Sequence, residues 1–488
     1  MNTISDILYR VPILDVEGNT SQQIRNVHID STKVGLNDLF IAIKGTTTDA
    51  HQFIPAVVNQ GALVVVCENL PEKRNTGVTY IQVEDSRLAA AYIAANFYDN
   101  PSSKMKLVGI TGTNGKTTVS SLLFQLFKNA GFKVGLISTV VIKVNDQDYP
   151  TKLTTPDSLT INMYLDKMEK EGVEYVFMEA SSHGIVQHRT KGLHFAGAVF
   201  TNLSHDHLDY HKSFAEYRDA KKILFDELAK CSFALTNADD KNGEVMLQNT
   251  RAQKLSFGLK SHSDYTAKIL ENNFSGLLMK INDIEVWSPL IGSFNAYNLL
   301  AVFATADVLG IEKLENLRLI SELKPVSGRF QHWVSTHQKI TAIVDYAHTP
   351  DALENVLSTI NAIRTKNEEL FTVVGCGGDR DATKRPLMAK IAANLSTQVI
   401  LTSDNPRTEN PDAIIEDMEK GIEPTDVKKV LTITSREQAI KTACKMANPK
   451  DIILVAGKGH ETYQEINGKR TDFDDFKLLK KYLEEFDK

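Results

Sequence analysis

Apolar positions change their spacing repeatedly along the chain, and each change predicts a new element. From Val34 to Ile43 the pattern predicts a short strand preceded by a turn. Helical spacing from Phe53 to Gln60 follows, and then the unbroken apolar run Ala62–Cys67. Apolar residues three and four apart suit a helix, whereas short apolar runs between turn residues suit buried strands. A second helix is predicted over Ser86–Phe97, running into Tyr98-Asp99-Asn100-Pro101-Ser102-Ser103. Proline among small polar residues breaks regular structure, so this stretch marks a first domain boundary.

Met105–Ile110 reads as a buried strand, Val119–Ala130 as a helix and Lys133–Ile137 as another strand, with a glycine-bearing turn after the first. That order is a parallel βαβ unit. A further strand over Glu174–Met178 ends on Glu179. Pro325 and Gly328 interrupt the pattern at a second boundary. Beyond it Ile340–Val344, Phe371–Val374, Gln398–Thr402 and Asp451–Ala456 read as four strands separated by helices. The expected fold is α/β with three domains, 1–101, 102–326 and 327–488. The central one is a phosphate-loop mononucleotide-binding domain, and the last a Rossmann-like open parallel sheet.

A chain of 488 residues exceeds what one hydrophobic core serves, which agrees with that division. The net charge of −6 gives no basic footprint for nucleic acid. Cys67, Cys231, Cys376 and Cys444 are scattered with no Cys-x-x-Cys pair, so neither structural zinc nor a disulfide framework is expected. Met1–Leu14 includes Asp6 and lacks an uninterrupted apolar core, so no signal peptide is expected. No apolar run approaches the roughly 18 to 20 residues that span a membrane. The expectation is a cytoplasmic protein, with a monomer as the default state.

Gly112-Thr113-Asn114-Gly115-Lys116-Thr117-Thr118 carries the strongest chemical signal. Glycines let backbone amides face a phosphate, Lys116 neutralises its charge, and Thr117 offers a hydroxyl to magnesium. The usual spacing puts a glycine where Ile110 stands; Gly109 and Gly112 flank it instead. Glu179, at a strand end, occupies the place where such folds keep a metal-binding carboxylate. These features identify a nucleotide and not a reaction.

The loop Thr111–Thr118 resembles that of the Mur ligases and their relative folylpolyglutamate synthase. Glu179-Ala180-Ser181-Ser182-His183-Gly184 with Gln187-His188-Arg189, and Asn202–Asp209, are similar to further Mur segments. Gly292–Asn298, Ser327-Gly328-Arg329-Phe330, Asp345-Tyr346-Ala347-His348 and Gly377-Gly378-Asp379-Arg380 follow in family order. Thr154-Thr155-Pro156, Asp404-Asn405-Pro406-Arg407 and Gly457-Lys458-Gly459-His460-Glu461 resemble the members that add the third residue of the peptidoglycan stem.

The resemblance implies an ATP-dependent amide ligase that phosphorylates a substrate carboxylate and lets an amine displace the phosphate. Its substrates would be UDP-N-acetylmuramoyl-L-alanyl-D-glutamate and meso-diaminopimelate, with lysine or ornithine as alternatives to the latter. Gly112, Thr113, Asn114, Gly115, Lys116, Thr117, Thr118, Asn298, Arg329 and Asp345 would hold ATP. Thr117, Glu179, His207 and a carbamylated Lys221 would hold magnesium; Lys222 is the neighbour with which Lys221 could be confused. Lys116, Glu179, His207 and Lys221 would carry catalysis, after domain closure. Ser31, Thr46, Thr47 and Thr48 would meet the uridine diphosphate, although Thr32-Lys33 stands where the family usually has arginine. Thr154, Thr155, Ser181, Gln187 and Arg189 would meet the muramoyl peptide. Arg380, Asp404, Asn405, Pro406, Arg407, Gly457 and Glu461 would line the amino-acid site, with Arg407 facing the distal carboxylate, since its fork matches that group. His183, His188, His205, His211 and His348 are tempting bases, each more often structural.

Overall fold

The computed structural model describes residues 3–45, 48–204, 210–211 and 213–488. The chain divides into two compact units: 1–112, 119–202 and 215–256 in the first, 113–118, 203–214 and 257–488 in the second.

The first unit opens with a five-stranded sheet in the order Ile13–Glu17, Thr79–Val83, Val64–Cys67, Leu39–Ile41, Val27–His28. Only the first of these strands is antiparallel to its neighbour. Helix Ser86–Phe97 covers it, as the spacing predicts, and buries Ala89, Ala90, Ile93 and Ala94. Small residues on that face let helix and sheet approach closely. Asp85 starts the helix by accepting the amides of Arg87 and Leu88. The predicted helix Phe53–Gln60 is a 3-10 turn, Ala50–Phe53, followed by helix Ile54–Asn59 with Pro55 in its first turn.

A second sheet in this unit has Lys106–Thr111 at its centre, flanked in parallel by Tyr175–Glu179 and Phe195–Phe200. Val134–Ile137 lies parallel on the far side of Tyr175–Glu179. Nearly every residue of these strands is buried, which explains why they read as continuous apolar runs rather than as alternating patterns. The register sets Glu179 beside Ile110, so the carboxylate and the glycine turn leave the sheet at the same end. The helix after that turn spans Lys116–Asn129 and begins three residues before its predicted start. Its first residues are those of the phosphate loop, whose polar character hides the helical period.

The second unit contains an antiparallel meander, Tyr265–Asn273, Gly276–Ile281 and Ile284–Ser288, with helices Ser293–Val308 and Lys313–Ser321. Its main sheet runs Gln331–Val334, Thr341–Asp345, Ile452–Ala456, Leu370–Cys376, Gln398–Ser403, Val430–Thr432. The four predicted strands are its parallel centre. Beside this parallel centre Gln331–Val334 adds an antiparallel edge that the apolar pattern does not predict. It is half-exposed and carries Gln331 and His332, so no apolar run announces it. A hairpin of Tyr463–Ile466 and Lys469–Asp472 stands apart from the main sheet.

One ion pair is wholly buried in this sheet domain. Arg436 donates through Nε and Nη2 to the two oxygens of Asp475, at 2.9 and 2.7 Å, and through Nη2 to the Ala456 carbonyl at 3.0 Å. Removing the carboxylate leaves a guanidinium desolvated without its counter-charge. Asp475→Ala should therefore cost about 3–5 kcal/mol in a denaturant titration; a loss below about 1 kcal/mol, the scale of an exposed pair, would contradict this account.

Candidate active site

In the first unit the site is built around Glu179. Its carboxylate is fully buried and accepts the backbone amide of Thr139 at 2.8 Å and the Thr139 hydroxyl at 3.0 Å. Both donors are neutral, and among the described residues no cation pairs with this carboxylate. A buried hard oxygen donor without a counter-charge suits magnesium. Thr155 Oγ donates to the Glu179 carbonyl at 2.8 Å and lies 3.0 Å from Ser181 Oγ. Arg189 donates to the Thr155 carbonyl and to the Gln187 side chain, both at 2.6 Å. Thr154 lies 3.1 Å from the Thr139 hydroxyl. Thr154, Thr155, Ser181, Gln187 and Arg189 are thus one connected network on Glu179. Thr139, which ties it together, escaped the sequence reading because a threonine after a strand carries no distinguishing signal.

Gly112 leaves the central strand at φ 147°, and a β-carbon there would lie 2.0 Å from Thr201 Oγ. Only glycine fits. Lys221 is buried on helix Phe214–Asp226, and its ammonium donates to the Gly112 carbonyl at 3.0 Å while lying 4.3 Å from the Tyr217 ring centre. Lys222 instead pairs with Asp226 on its own helix, at 2.6 and 2.8 Å. The structure brings Lys221, not its neighbour, to the loop. His188, with φ 56°, lies 3.4 Å from Asp85.

A cavity of about 430 Å³ in the N-terminal sheet region is lined by Asp30, Ser31, Gly45 and Thr48, among others. Ser31 and Thr48 therefore share one wall set. Thr46, Thr47, His205 and His207 lie outside the described residues.

In the second unit Lys116 Nζ donates to the Thr113 carbonyl at 2.7 Å. Asn114 Nδ2 donates to Asp351 at 3.0 Å, and the Ser204 hydroxyl to the same carboxylate oxygen at 2.8 Å. Asp351 was missed because Thr349-Pro350-Asp351 reads only as a helix start, and Thr349 does cap helix Pro350–Ile363. Arg329 donates through Nη2 to the Thr117 hydroxyl at 3.0 Å and stacks 4.5 Å from the Tyr346 ring centre. Gly328, at φ 65°, has no room for a side chain: its β-carbon would meet the His460 amide at 2.0 Å. The Phe330 amide donates to Asp345 at 2.6 Å. Asn298 donates to Asn295 on its own helix at 3.0 Å; none of its described hydrogen bonds reaches the phosphate loop.

Burial pushes Asp345 up to about 6, against the opposing pull of Arg329 and the backbone amides of Phe330 and Ala347. Burial, with the charges of Arg329, His348 and Lys458, drives His460 down to about 3. His460 is therefore neutral at physiological pH. The His348 ring nitrogen Nδ1 lies 2.8 Å from the Tyr346 carbonyl, which uses it as a donor.

Asp404 and Asn405 follow strand Gln398–Ser403, and Gly457 follows strand Ile452–Ala456. Asn405 Nδ2 donates to Glu461 Oε2 at 2.7 Å. Arg407 holds φ 52°, fixed by backbone bonds to the hairpin: its amide donates to the Glu465 carbonyl at 3.1 Å, and the Asn467 amide to its carbonyl at 2.6 Å. Its Nη1 donates to the Gly378 carbonyl at 2.6 Å, leaving Nη2 and Nε without a described protein partner. Arg380 Nη1 donates to the Asp379 carbonyl at 3.3 Å. Burial, reinforced by the negative charge of Asp404, pushes Glu461 above the usual carboxylate range. Lys458 is buried in the middle of this group; a lysine between two glycines carries no sequence signal for such a place.

Residues 23–98, 110–306 and 328–459 match, in that order, the Mur ligase family catalytic domain, the Mur ligase middle domain and the Mur ligase glutamate ligase domain. Over 482 residues, 99% of both chains, the sequence is 52% identical to the UDP-N-acetylmuramoyl-L-alanyl-D-glutamate–2,6-diaminopimelate ligase of Cytophaga hutchinsonii. The chain belongs to the Mur ligase family. This Mur ligase also resembles a solved structure of a UDP-N-acetylmuramoyl-L-alanyl-D-glutamate–2,6-diaminopimelate ligase, at 32% identity and a TM-score of 0.71, covering 100% of this chain and 99% of that one. A MurF ligase from Thermotoga maritima in complex with ADP shares the fold at 20% identity and a TM-score of 0.66, over 95% and 98% of the two chains.

The raised Asp345 gives the Mur ligase a pH signature. Because the folded value lies above the ordinary 3.8, the folded state holds a proton that the unfolded state has lost. Stability therefore falls as pH rises between 3.8 and about 6. Asp345→Asn cannot ionise and should escape this loss, gaining on the order of 3 kcal/mol relative to the parent between about pH 4 and about pH 7. Paired urea titrations at the two pH values check it; a parent–variant difference that does not change with pH would contradict it.

Proposed function

We propose that this Mur ligase joins meso-2,6-diaminopimelate to the D-glutamyl carboxylate of UDP-N-acetylmuramoyl-L-alanyl-D-glutamate, converting ATP to ADP and phosphate. The observation that carries the reading is the 52% identity, over 99% of both chains, to a protein whose name states these substrates. Local chemistry supports it from two sides: a phosphate loop for the nucleotide, and, in the Asp404–Arg407 turn, a cation with donors that no described residue takes up, for the amino acid. No helix among the described residues is long and apolar enough to cross a membrane. The cytoplasm, where ATP and nucleotide-linked sugars are available, is the proposed compartment.

A carboxylate is a poor acyl donor because its leaving group would be an oxide. Transfer of the γ-phosphoryl group to the carboxylate oxygen gives an acyl phosphate and ADP. The amine of diaminopimelate then attacks the carbonyl carbon, the carbon–oxygen bond to phosphate breaks, and the amine proton is released. The amides of Gly112–Thr118 and the Lys116 ammonium stabilise charge on the transferring group. Arg329 donates to the Thr117 hydroxyl and lies beside Asp345, which supports a role for both at the nucleotide end. Thr154, Thr155, Ser181, Gln187 and Arg189 orient the muramoyl peptide, and the cavity at Ser31 and Thr48 receives the uridine diphosphate.

Magnesium, when bound, screens the repulsion between the carboxylate and the γ-phosphate. Glu179 would hold it, and a carbamylated Lys221 would supply a second anionic oxygen donor. Carbamylation keeps one N–H on Nζ, so the bond to the Gly112 carbonyl survives while the buried positive charge is removed.

Arg407 selects for diaminopimelate over lysine, since lysine lacks the distal carboxylate and would leave the guanidinium unpaired. Purified protein should release phosphate only when ATP, the muramoyl nucleotide and diaminopimelate are all present. Release with lysine at equal rate, or with no amino acid, would sink the reading. Arg407→Ala should lower kcat/KM for diaminopimelate by about a hundredfold or more while KM for ATP stays within about twofold. Lys221→Ala should lose most activity and regain part of it with added short carboxylic acids, whereas Lys222→Ala should keep it; the reverse order would reassign the role.

A further inference from the structure

We infer that Lys458 is a positioning residue that fixes which atoms of Asn405 and Glu461 face the incoming amino acid, making the pocket selective for a ligand with a second ammonium group. The inference rests on the reading of this pocket as the amino-acid site.

Lys458 has no exposed surface. Its ammonium donates to Asn405 Oδ1 at 3.0 Å and to Glu461 Oε2 at 3.3 Å, and lies 3.8 Å from Asp404 Oδ1. Asn405 Oδ1 also accepts the Glu465 amide at 2.9 Å. With two donors on this oxygen, the amide cannot flip without turning its own NH2 against them. Nδ2 is therefore held toward Glu461, where it donates to Oε2. Glu461 Oε2 is thus occupied twice, and Oε1 has no partner among the described residues. One carboxylate oxygen is left to accept from a ligand.

The charges lead to the same place. Asp404 and Glu461 share the one ammonium of Lys458, so negative charge is locally in excess beside it, and a ligand ammonium offsets it. Gln464 Nε2 donates to the Asp404 carbonyl at 2.7 Å, so the turn itself is anchored independently of the lysine. Replacing Lys458 with methionine would leave the Glu465 amide as the single donor holding the Asn405 oxygen and set two carboxylates against each other. One of them would then take up a proton, and the ligand ammonium would face a neutral acid.

The test is steady-state kinetics of the full-length enzyme with each substrate varied in turn, for the parent, Lys458→Met and Lys458→Gln, alongside thermal melts. Lys458→Met should raise KM for diaminopimelate about 30-fold and leave KM for ATP and for the muramoyl nucleotide within about twofold. Lys458→Gln, which keeps an N–H donor but not the charge, should fall between. If the methionine variant does not fold, the glutamine variant carries the test by the same criteria. An unchanged KM for diaminopimelate in a folded variant overturns the role of Lys458, as does a parallel rise in all three KM values with a lowered melting temperature. A parent enzyme that does not use diaminopimelate overturns the reading of the pocket, and this inference with it.

Discussion

Where a parallel strand ends, its last carbonyls and the amides that follow lose their ladder partners, and side chains at that edge meet an incompletely paired backbone. The chemistry-bearing groups of this protein stand at such edges. Glu179 closes strand Tyr175–Glu179, and Gly112 follows Lys106–Thr111. In the second unit Asp345 closes Thr341–Asp345, Asp404 follows Gln398–Ser403, and Gly457 follows Ile452–Ala456. The apolar strands beneath are buried and cannot move without opening the core. Loops of varied sequence are thereby held on a rigid frame, and ligands of open parallel sheets collect at this edge for the same reason.

Burial at that edge makes each charge costly unless something offsets it, and the offsets differ from site to site. Arg436 and Asp475 neutralise each other and serve the fold alone. Asp345 yields by shifting toward its protonated form. Among the described residues Glu179 has neutral donors only, Thr139's amide and hydroxyl. Around Lys458, one cation faces two carboxylates. Complete compensation marks a structural pair, whereas a residue of uncompensated charge marks a place for a ligand. By this criterion Glu179 suits a metal cation and the Asp404–Glu461 cluster suits an ammonium.

Much of the fold was legible because buried parallel strands are written as apolar runs. Tyr175–Glu179, Thr341–Asp345 and Gln398–Ser403 lie within a residue or two of their predicted limits. Edge elements were not legible. Gln331–Val334 and the hairpin Tyr463–Asp472 are half-exposed or exposed, and an element with little buried surface has little reason to show a period. The hairpin is nonetheless the element that pins Arg407 and bonds Asn405.

By itself the sequence determined the strand and helix alternation, the phosphate loop, and the motifs of the Mur ligase family, because burial and backbone conformation constrain residue type locally. Gly112 is one case: its positive φ and the closeness of Thr201 admit no other residue. Only the tertiary structure decided that Lys221 rather than Lys222 reaches the loop, that Asp351 holds Asn114, and that Lys458 sits between two carboxylates. Two adjacent lysines on a helix differ by one step of rotation, which no local pattern encodes. Glu461 lies three positions from Lys458, but Asp404 and Asn405 lie on the order of fifty positions away and are brought to it by strand order and register.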